Sequence, residues 1–155
     1  MFIRKKNVNG IEYAYLVENK YNKRKKQSRQ KATKYLGKII KLPENKAQTE
    51  AITTKESIIN ELIGQGFSLN KNLLKKDSIT IDLNKLSVDE NNKSVCIELN
   101  EGFLCAHTLT NLLSFSSKNL TQKEIIMKFA DAFVSAGINL HHESFIKIFN
   151  KELKP

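Results

Sequence analysis

Apolar and polar positions alternate near the start of the chain, and this period of two predicts β-strands. The run IEYAYLVE (residues 11–18) places two tyrosines between aliphatic residues on one strand face. Asn9 and Gly10 precede this run, and both residue types tolerate the positive φ angles of a tight hairpin turn. A third run, RQKATKYLGKII, follows. We predict a three-stranded antiparallel sheet, joined by the Asn-Gly turn and by a long basic loop over residues 20–28.

The pattern then changes to the period of a helix. Pro43 and its polar neighbours indicate a linker, and Thr53 followed by Glu56 three residues later forms a capping-box signature. Apolar residues then recur at helical spacing up to two glycines: Ile58, Ile59, Leu62, Ile63, Gly64 and Gly66. Since three strands bury too little apolar surface alone, we expect this helix to cover the back of the sheet or to bridge two modules.

Beyond residue 77 the pattern predicts two more strands and three helices. Residues 79–83 and 95–99 alternate in polarity, and an acidic, Asn-rich connection would join them as a hairpin. Asn100 could cap the first helix, and Thr121 with Glu124 forms a second capping box. The apolar helix positions and the closing glycine are Phe103, Leu104, Leu109, Leu112, Leu113, Ile125, Ile126, Phe129, Phe133, Val134, Gly137, Phe145, Ile148, Phe149 and Leu153.

These elements predict an α+β protein: a small N-terminal three-stranded antiparallel β-sheet with a helix, followed by a β-hairpin and a three-helix C-terminal module. We assign a basic β-sheet module to residues 1–46, a linker and bridging helix to residues 47–77, and a neutral hairpin and helical module to residues 78–155. A chain of 155 residues suffices for one ordinary domain or two small ones. No run of eighteen apolar residues occurs, so we expect no membrane partner.

Charge is strongly segregated along the chain. The sequence carries 26 Lys and Arg against 16 Asp and Glu, a net charge of +10. Fourteen of the bases but only three of the acids lie in residues 1–46, which leaves twelve bases and thirteen acids in the remainder. All four tyrosines share the basic part, whereas seven of the eight phenylalanines lie outside it. Tyrosine suits a half-wet surface and phenylalanine a dry core, so two modules with different roles are indicated.

The first forty residues resemble the extreme N-terminus of many insertion-sequence DDE transposases. Those proteins often begin with a basic strand, an aromatic-rich Y-x-Y-L-V-E strand, a variable basic turn and an R-Q-K/R…LG strand. The matching residues here are Tyr13, Tyr15, Leu16, Val17, Glu18, Arg29, Gln30, Leu36 and Gly37. The resemblance implies a nucleic-acid-binding module. It stops after Ile40, and a DDE core needs three metal-binding carboxylates in a domain larger than the remaining chain, so transposition is not implied.

Candidate residues for metal or covalent chemistry are few. Cys96, Cys105, His107 and the pair at residues 141–142 (His141 and His142) lack the ligand spacing of a zinc finger or ribbon. On a helix, residues two apart diverge by about 200°, which separates Cys105 from His107. The sequence contains no Gly-rich phosphate loop, H-E-x-x-H motif or nucleophile elbow. We expect a protein without metal, cofactor or enzymatic activity, and a small hydrolase using Cys105 and a histidine is the minor alternative.

Other polar residues have ordinary explanations. Asp82, Asp89 and Glu90 are typical of a solvated hairpin connection, and Gly102 fits either a close backbone approach or a plain turn. The two cysteines form no paired motif, which is typical of a reducing compartment. The N-terminus has no apolar segment of the kind found in secretory signals. We therefore expect a cytoplasmic protein.

The basic segment predicts a surface for nucleic acid, either DNA or RNA. A solvated turn or a nuclear-localisation signal would require neither basic residues on both flanking strands nor tyrosines between them. Lysine outnumbers arginine, which favours phosphate contact over base reading and hence weak sequence specificity. The tyrosines could stack on bases. The predicted contact residues are Arg4, Lys5, Lys6, Tyr13, Tyr15, Lys20, Lys23, Arg24, Lys25, Lys26, Arg29, Lys31, Lys34 and Tyr35.

An adaptor is the alternative function. In that case the Phe-rich helical module would dock onto a protein partner, while the basic sheet attaches the chain to a ribosome or another nucleoprotein complex. An exposed apolar stripe on the helices predicted near residues 122–136 or 142–153 would favour this alternative.

Overall fold

A computed structural model describes residues 1–44 and 50–153 of the chain. The strands are β1 (Phe2–Val8), β2 (Ile11–Asn22), β3 (Gln27–Lys41), β4 (Ser68–Asn70), β5 (Leu73–Lys76), β6 (Ile79–Asp82), β7 (Ser87–Glu90), β8 (Lys93–Leu99) and β9 (Gly102–Leu104). The helices are α1 (Thr54–Gly64), α2 (Ala106–Leu113), α3 (Gln122–Ala136) and α4 (His142–Glu152). The strands form one sheet in the order β1-β2-β3-β8-β7-β6-β5-β4, and β9 also pairs with β8. The predicted α+β class is confirmed.

The N-terminal meander β1-β2-β3 is antiparallel, as predicted. Asn9 and Gly10 have φ angles of 52° and 83° and form the expected tight turn. The predicted long loop over residues 20–28 is wrong, because β2 runs to Asn22 and β3 begins at Gln27. The Asn22 side-chain oxygen accepts hydrogen bonds from the backbone N–H groups of the second and third turn residues, at 3.0 and 3.3 Å, which closes a four-residue turn.

The three N-terminal strands continue into the rest of the sheet. From Lys38 to Lys41, β3 pairs in parallel with residues 95–98 of β8. The back of the meander packs against Phe103 and Cys105, in a cluster that includes Leu16. The predicted cover by α1 is wrong, because the buried residues of α1 belong to the larger core. β9 and the start of α2 cover the back of the meander instead.

Between residues 50 and 153 the structure contains six strands, and the strands predicted at residues 79–83 and 95–99 do not form a hairpin with each other. Strands β4 to β7 form short antiparallel pairs that lead into β8. The predicted helix cap at Asn100 is also wrong: this residue has φ 52° between β8 and β9, and α2 begins only at Ala106. The reason lies at Gly102, where an added Cβ would lie 2.2 Å from the Val134 carbonyl oxygen. Of the two explanations left open for Gly102, the close backbone approach is therefore the one that the structure shows.

Sequence signals located the start of α1 and both ends of α3 correctly. Thr121 and Glu124 form both hydrogen bonds of a capping box at the start of α3, and Gly137, with φ 76°, ends that helix. At α1 the Thr53 hydroxyl accepts from the Glu56 N–H at 3.1 Å, while the Glu56 carboxylate accepts from the residue before the cap. The buried residues of the larger core include Ile58, Leu62, Leu74, Ile81, Val88, Val95, Ile97, Leu99, Leu104, Leu109, Leu112, Phe129, Phe133 and Ile148.

Two further observations concern the predicted organisation. Within the described residues, no helix has the length and apolar character needed to cross a membrane. Residues 45–49, which contain the predicted boundary between the first module and the linker, lie outside the described residues. The assignment of modules therefore stays a prediction, although the hydrogen-bonded sheet extends from the first module into the third.

Candidate nucleic-acid interface

β2 and β3 extend beyond the rest of the sheet as a two-stranded ribbon. β1 pairs with β2 only as far as Val17, whereas β2 and β3 continue to pair up to Asn22 and Gln27. Every residue from 19 to 35 is exposed. We call residues 19–35, which comprise this ribbon and the exposed residues 33–35 at its base in the three-stranded sheet, the β-arm. The β-arm is long because β2 and β3 stay paired up to a short turn. As a result, the most basic part of the sequence is exposed to solvent.

The cations of the β-arm lie on one face and at its tip. Directly paired residues on antiparallel strands share a face, and Lys20 pairs with Arg29 while Glu18 pairs with Lys31. Lys34 pairs with Leu16, on the same side of β2. The tip consists of Lys23, Arg24, Lys25 and Lys26. Among the described residues, the only ion pair of these cations joins Lys20 to Glu18 at 3.2 Å.

The opposite face of the β-arm is uncharged. Asn19 pairs with Gln30, and Tyr21 pairs with Ser28. The Tyr21 side chain is 64% exposed. Tyrosine rings are usually buried along their apolar part, so this exposure is unusual. The β-arm therefore has a cationic face and a neutral polar face.

Three tyrosines cluster at the base of the neutral face. Tyr15 and Tyr35 are cross-strand partners with ring centroids 5.4 Å apart, and Tyr13 lies 6.1 Å from Tyr35. Partial burial, with a smaller contribution from the two neighbouring phenols, raises the pKa of Tyr35 above its ordinary value. Like any tyrosine hydroxyl, that of Tyr35 is protonated at neutral pH and can donate a hydrogen bond.

A shallow groove runs beside these rings. It has a volume of about 350 Å³, and Tyr15, Val17 and Ala32 line it together with residues of β1. The Arg4 guanidinium donates a hydrogen bond to the side-chain oxygen of Gln30 across this face. The groove thus joins a cation, an amide and an aromatic ring, the groups that contact phosphates and bases.

Lys5 lies on the other side of the sheet from Arg4 and Lys6. Its Nζ is 2.9 Å from Glu98 Oε1, and the second oxygen of that carboxylate is buried without a hydrogen bond. The charge of Lys5 is thus compensated within the protein. The predicted contact residues consequently occupy three places, with Arg4, Lys6 and the three clustered tyrosines on one face, Lys5, Lys20, Arg29, Lys31 and Lys34 on the other, and residues 23–26 at the tip.

Sequence reasoning missed Gln30 and Lys38 as members of this surface. Lys38 pairs with Tyr13 and is exposed, while Gln30 bonds to Arg4. The register shifts twice in β3, since Gly37 and Tyr35 pair with adjacent residues of β2, as do Lys34 and Ala32. Each bulge reverses which residues share a face. Simple alternation therefore could not assign the faces of β3.

The two cysteines predicted to be structural lie in the buried cluster behind the meander, and His107 lies near Lys34 of the cationic face. Cys96 and Cys105 are both buried and form no disulfide bond with each other. Cys105 is the N-cap residue of α2. The hydrogen bond that joins their thiols, together with burial, raises the pKa of Cys96, while the same bond lowers that of Cys105. With exposed fractions of 0% and 1%, neither sulfur is accessible to a substrate.

The histidines make local contacts. His107 Nε2 lies 3.3 Å from the side-chain nitrogen of Asn111, and burial and nearby Lys34 lower its pKa. His141 Nδ1 accepts a hydrogen bond from the Glu143 N–H at the start of α4. Over residues 1–44 and 50–153, no three His, Cys, Asp or Glu side chains are grouped as they would be around a metal ion. No known protein family, curated protein or solved structure matches the chain.

Proposed function

We propose that this protein is a non-catalytic nucleic-acid-binding protein that contacts the phosphate backbone through its basic sheet and β-arm, with weak sequence specificity. The observation that carries the proposal is the β-arm itself, a fully exposed ribbon whose tip and one face carry eight cations. Only one of them has an ion-pair partner among the described residues. The resemblance of residues 1–40 to a nucleic-acid-binding region supports the same function.

The energetic argument is electrostatic. Exposed, uncompensated cations repel one another in the free protein, and a polyanion relieves this repulsion and releases its own condensed counterions. Lysines make up most of the cations, and their flexible point charges suit phosphates better than base edges. Binding should therefore be strong at low salt and weaken steeply as salt rises.

Salt dependence of binding is the direct test. The full chain is titrated with duplex DNA and with structured RNA across a salt series, beside a variant with residues 23–26 changed to glutamate. We expect a slope equivalent to about 4–6 released counterions for the wild type and a much smaller slope for the variant. A control with the same charge change on exposed helix lysines should bind like the wild type: Lys123→Glu, Lys128→Glu, Lys147→Glu and Lys151→Glu. No binding to either ligand at roughly 50 mM salt contradicts the proposal.

An adaptor function remains the second candidate, because α3 carries an exposed apolar stripe. Ile126, Met127 and Val134 are 40%, 56% and 58% exposed and lie along one side of the helix. The phenylalanines of the helical module pack against one another, as at Phe129 and Phe133 with centroids 5.0 Å apart, so the exposed stripe consists of aliphatic residues and Met127. If this candidate is correct, the wild type binds naked nucleic acid poorly and can be cross-linked to a protein partner even after nuclease treatment. A Met127→Glu, Val134→Glu variant then loses this cross-link.

A further inference from the structure

The dimensions of the β-arm match a groove of duplex DNA. From Asn19 to Asn22, four consecutive residues of the β-arm pair with residues 30–27 without interruption. At about 3.4 Å per residue this paired segment is about 10 Å long before the turn, and its strands lie about 4.8 Å apart. The major groove of B-form DNA is about 12 Å wide and admits a two-stranded ribbon. Every side chain of residues 19–35 is exposed, so the protein itself does not obstruct such insertion.

The two faces of the β-arm differ in the way that a groove requires. The neutral face carries the pairs Asn19–Gln30 and Tyr21–Ser28. These short or uncharged groups can approach base edges, which present donors, acceptors and thymine methyls. The cationic face carries the Lys20–Arg29 pair and Lys31. Phosphates line the rims of the groove on both sides of an inserted ribbon, within reach of long cations on its outer face.

We propose that the β-arm binds lengthwise in the major groove of B-form duplex DNA, with its neutral face toward the base edges and its cationic face and tip on the flanking phosphates. This inference rests on the proposed function and names the ligand class. Duplex RNA is excluded as the preferred ligand because the A-form major groove is deep and too narrow for side chains to read. The few polar groups on the neutral face are consistent with weak sequence specificity.

Binding to duplexes with one groove blocked tests the inference. The full chain is titrated at fixed moderate salt with four probes: an unmodified DNA duplex, the same duplex with glucosylated 5-hydroxymethylcytosine filling the major groove, the same duplex with netropsin in the minor groove, and an RNA duplex of equal length. We expect at least roughly tenfold weaker binding to the glucosylated and RNA duplexes, and unchanged binding in the presence of netropsin.

A shortened β-arm provides the matched variant. Deleting Asn19, Lys20, Arg29 and Gln30 removes two residues from each strand, so the faces of the remaining residues are kept. Its control is the full-length double variant Lys20→Gln, Arg29→Gln, which loses the same charge. We expect the shortened chain to bind the unmodified and glucosylated duplexes equally, whereas the control keeps the preference for unmodified DNA. Unchanged thermal unfolding of both variants shows that the fold is intact.

The outcomes separate this inference from the proposed function. Equal wild-type affinity for unmodified and glucosylated DNA, with a steep salt slope, overturns groove insertion but leaves phosphate binding in place. The same preference for unmodified DNA in the shortened chain also overturns it. Absence of salt-dependent binding to all four probes contradicts the proposed function and this inference together.

Discussion

A Cβ atom added to Gly37 would lie 2.5 Å from the backbone carbonyl oxygen of Ser94. This contact is where β3, which carries the β-arm, meets β8 in the centre of the sheet, one residue before the parallel pairing begins at Lys38. The φ angle of Gly37 is +134°, a conformation that other residues rarely adopt. The junction between the basic meander and the rest of the sheet thus depends on the absence of a side chain.

Gly37→Ala should therefore destabilise the protein. The methyl group clashes with backbone and not with a flexible side chain, and the positive φ adds strain, so we expect a loss of about 2–4 kcal/mol in the free energy of unfolding. Urea unfolding measures it. The control is Gly10→Asn, at a tight turn with nothing within 4 Å of an added Cβ, which should change stability by less than about 1 kcal/mol. Equal stability of the two variants would show that the junction can relax.

Lys5 and Lys6 should contribute differently to nucleic-acid binding although they are adjacent. Lys6 is exposed, so Lys6→Gln should reduce the salt slope by about 0.9, the value for one phosphate contact on B-form DNA. Lys5→Gln should leave the slope unchanged, because Glu98 already compensates its charge at 2.9 Å. The salt dependence of the two single variants, measured side by side, checks this. A reduced slope for Lys5→Gln would mean that Lys5 leaves Glu98 when the ligand binds.

Asn100 should be important for stability. Its side-chain amide donates to the Gly137 carbonyl at 2.7 Å and to Glu61 Oε1 at 3.0 Å, and Glu61 is only 1% exposed. Asn100→Ala removes the hydrogen bond to the buried Glu61 carboxylate and the hydrogen bond to the carbonyl at the end of α3. We therefore expect the free energy of unfolding to fall by about 2–4 kcal/mol. Asn119→Ala is the control for backbone strain alone, since Asn119 has a similar positive φ of 61° but is exposed. Chemical denaturation of both variants separates the two effects, and equal losses would contradict the role of the amide.

Glu124 should make stability depend on pH. The Thr121 backbone N–H and hydroxyl donate to its carboxylate, at 2.8 and 2.9 Å, and hold its pKa below the ordinary 4.5. Folding therefore favours the charged form of Glu124. Its contribution to the free energy of unfolding is complete above pH 4.5 and is lost as the pH falls through the lowered pKa. The melting temperature of Glu124→Gln should lie below that of the wild type at neutral pH, and the difference should shrink in acid. A difference that is constant with pH would rule out this linkage.

Local signals in the sequence correctly predicted those features of the structure that depend only on interactions between residues close in sequence. The Asn9-Gly10 turn, the Thr121–Glu124 capping box and the helix end at Gly137 follow from φ preferences and hydrogen bonds within a few residues, and the structure confirms all three. Alternation from Ile11 onward likewise identified the N-terminal strands. The charge segregation on which the proposed nucleic-acid binding rests is a property of composition and can be read without the fold.

Tertiary structure alone decided how these elements combine. The segment at Phe103 has a helix-compatible pattern, yet it pairs with β8 because Gly102 packs against the end of α3, a contact between residues distant in sequence. The bulges of β3 bring Lys31 and Lys34, three residues apart, onto the same face as Lys20, and alternation could not place them there because each bulge shifts the register by one residue. Sequence by itself determined that this protein has strands, capped helices and a basic N-terminal third. Long-range packing determined which cations lie together, because face and register depend on partners that local patterns do not specify.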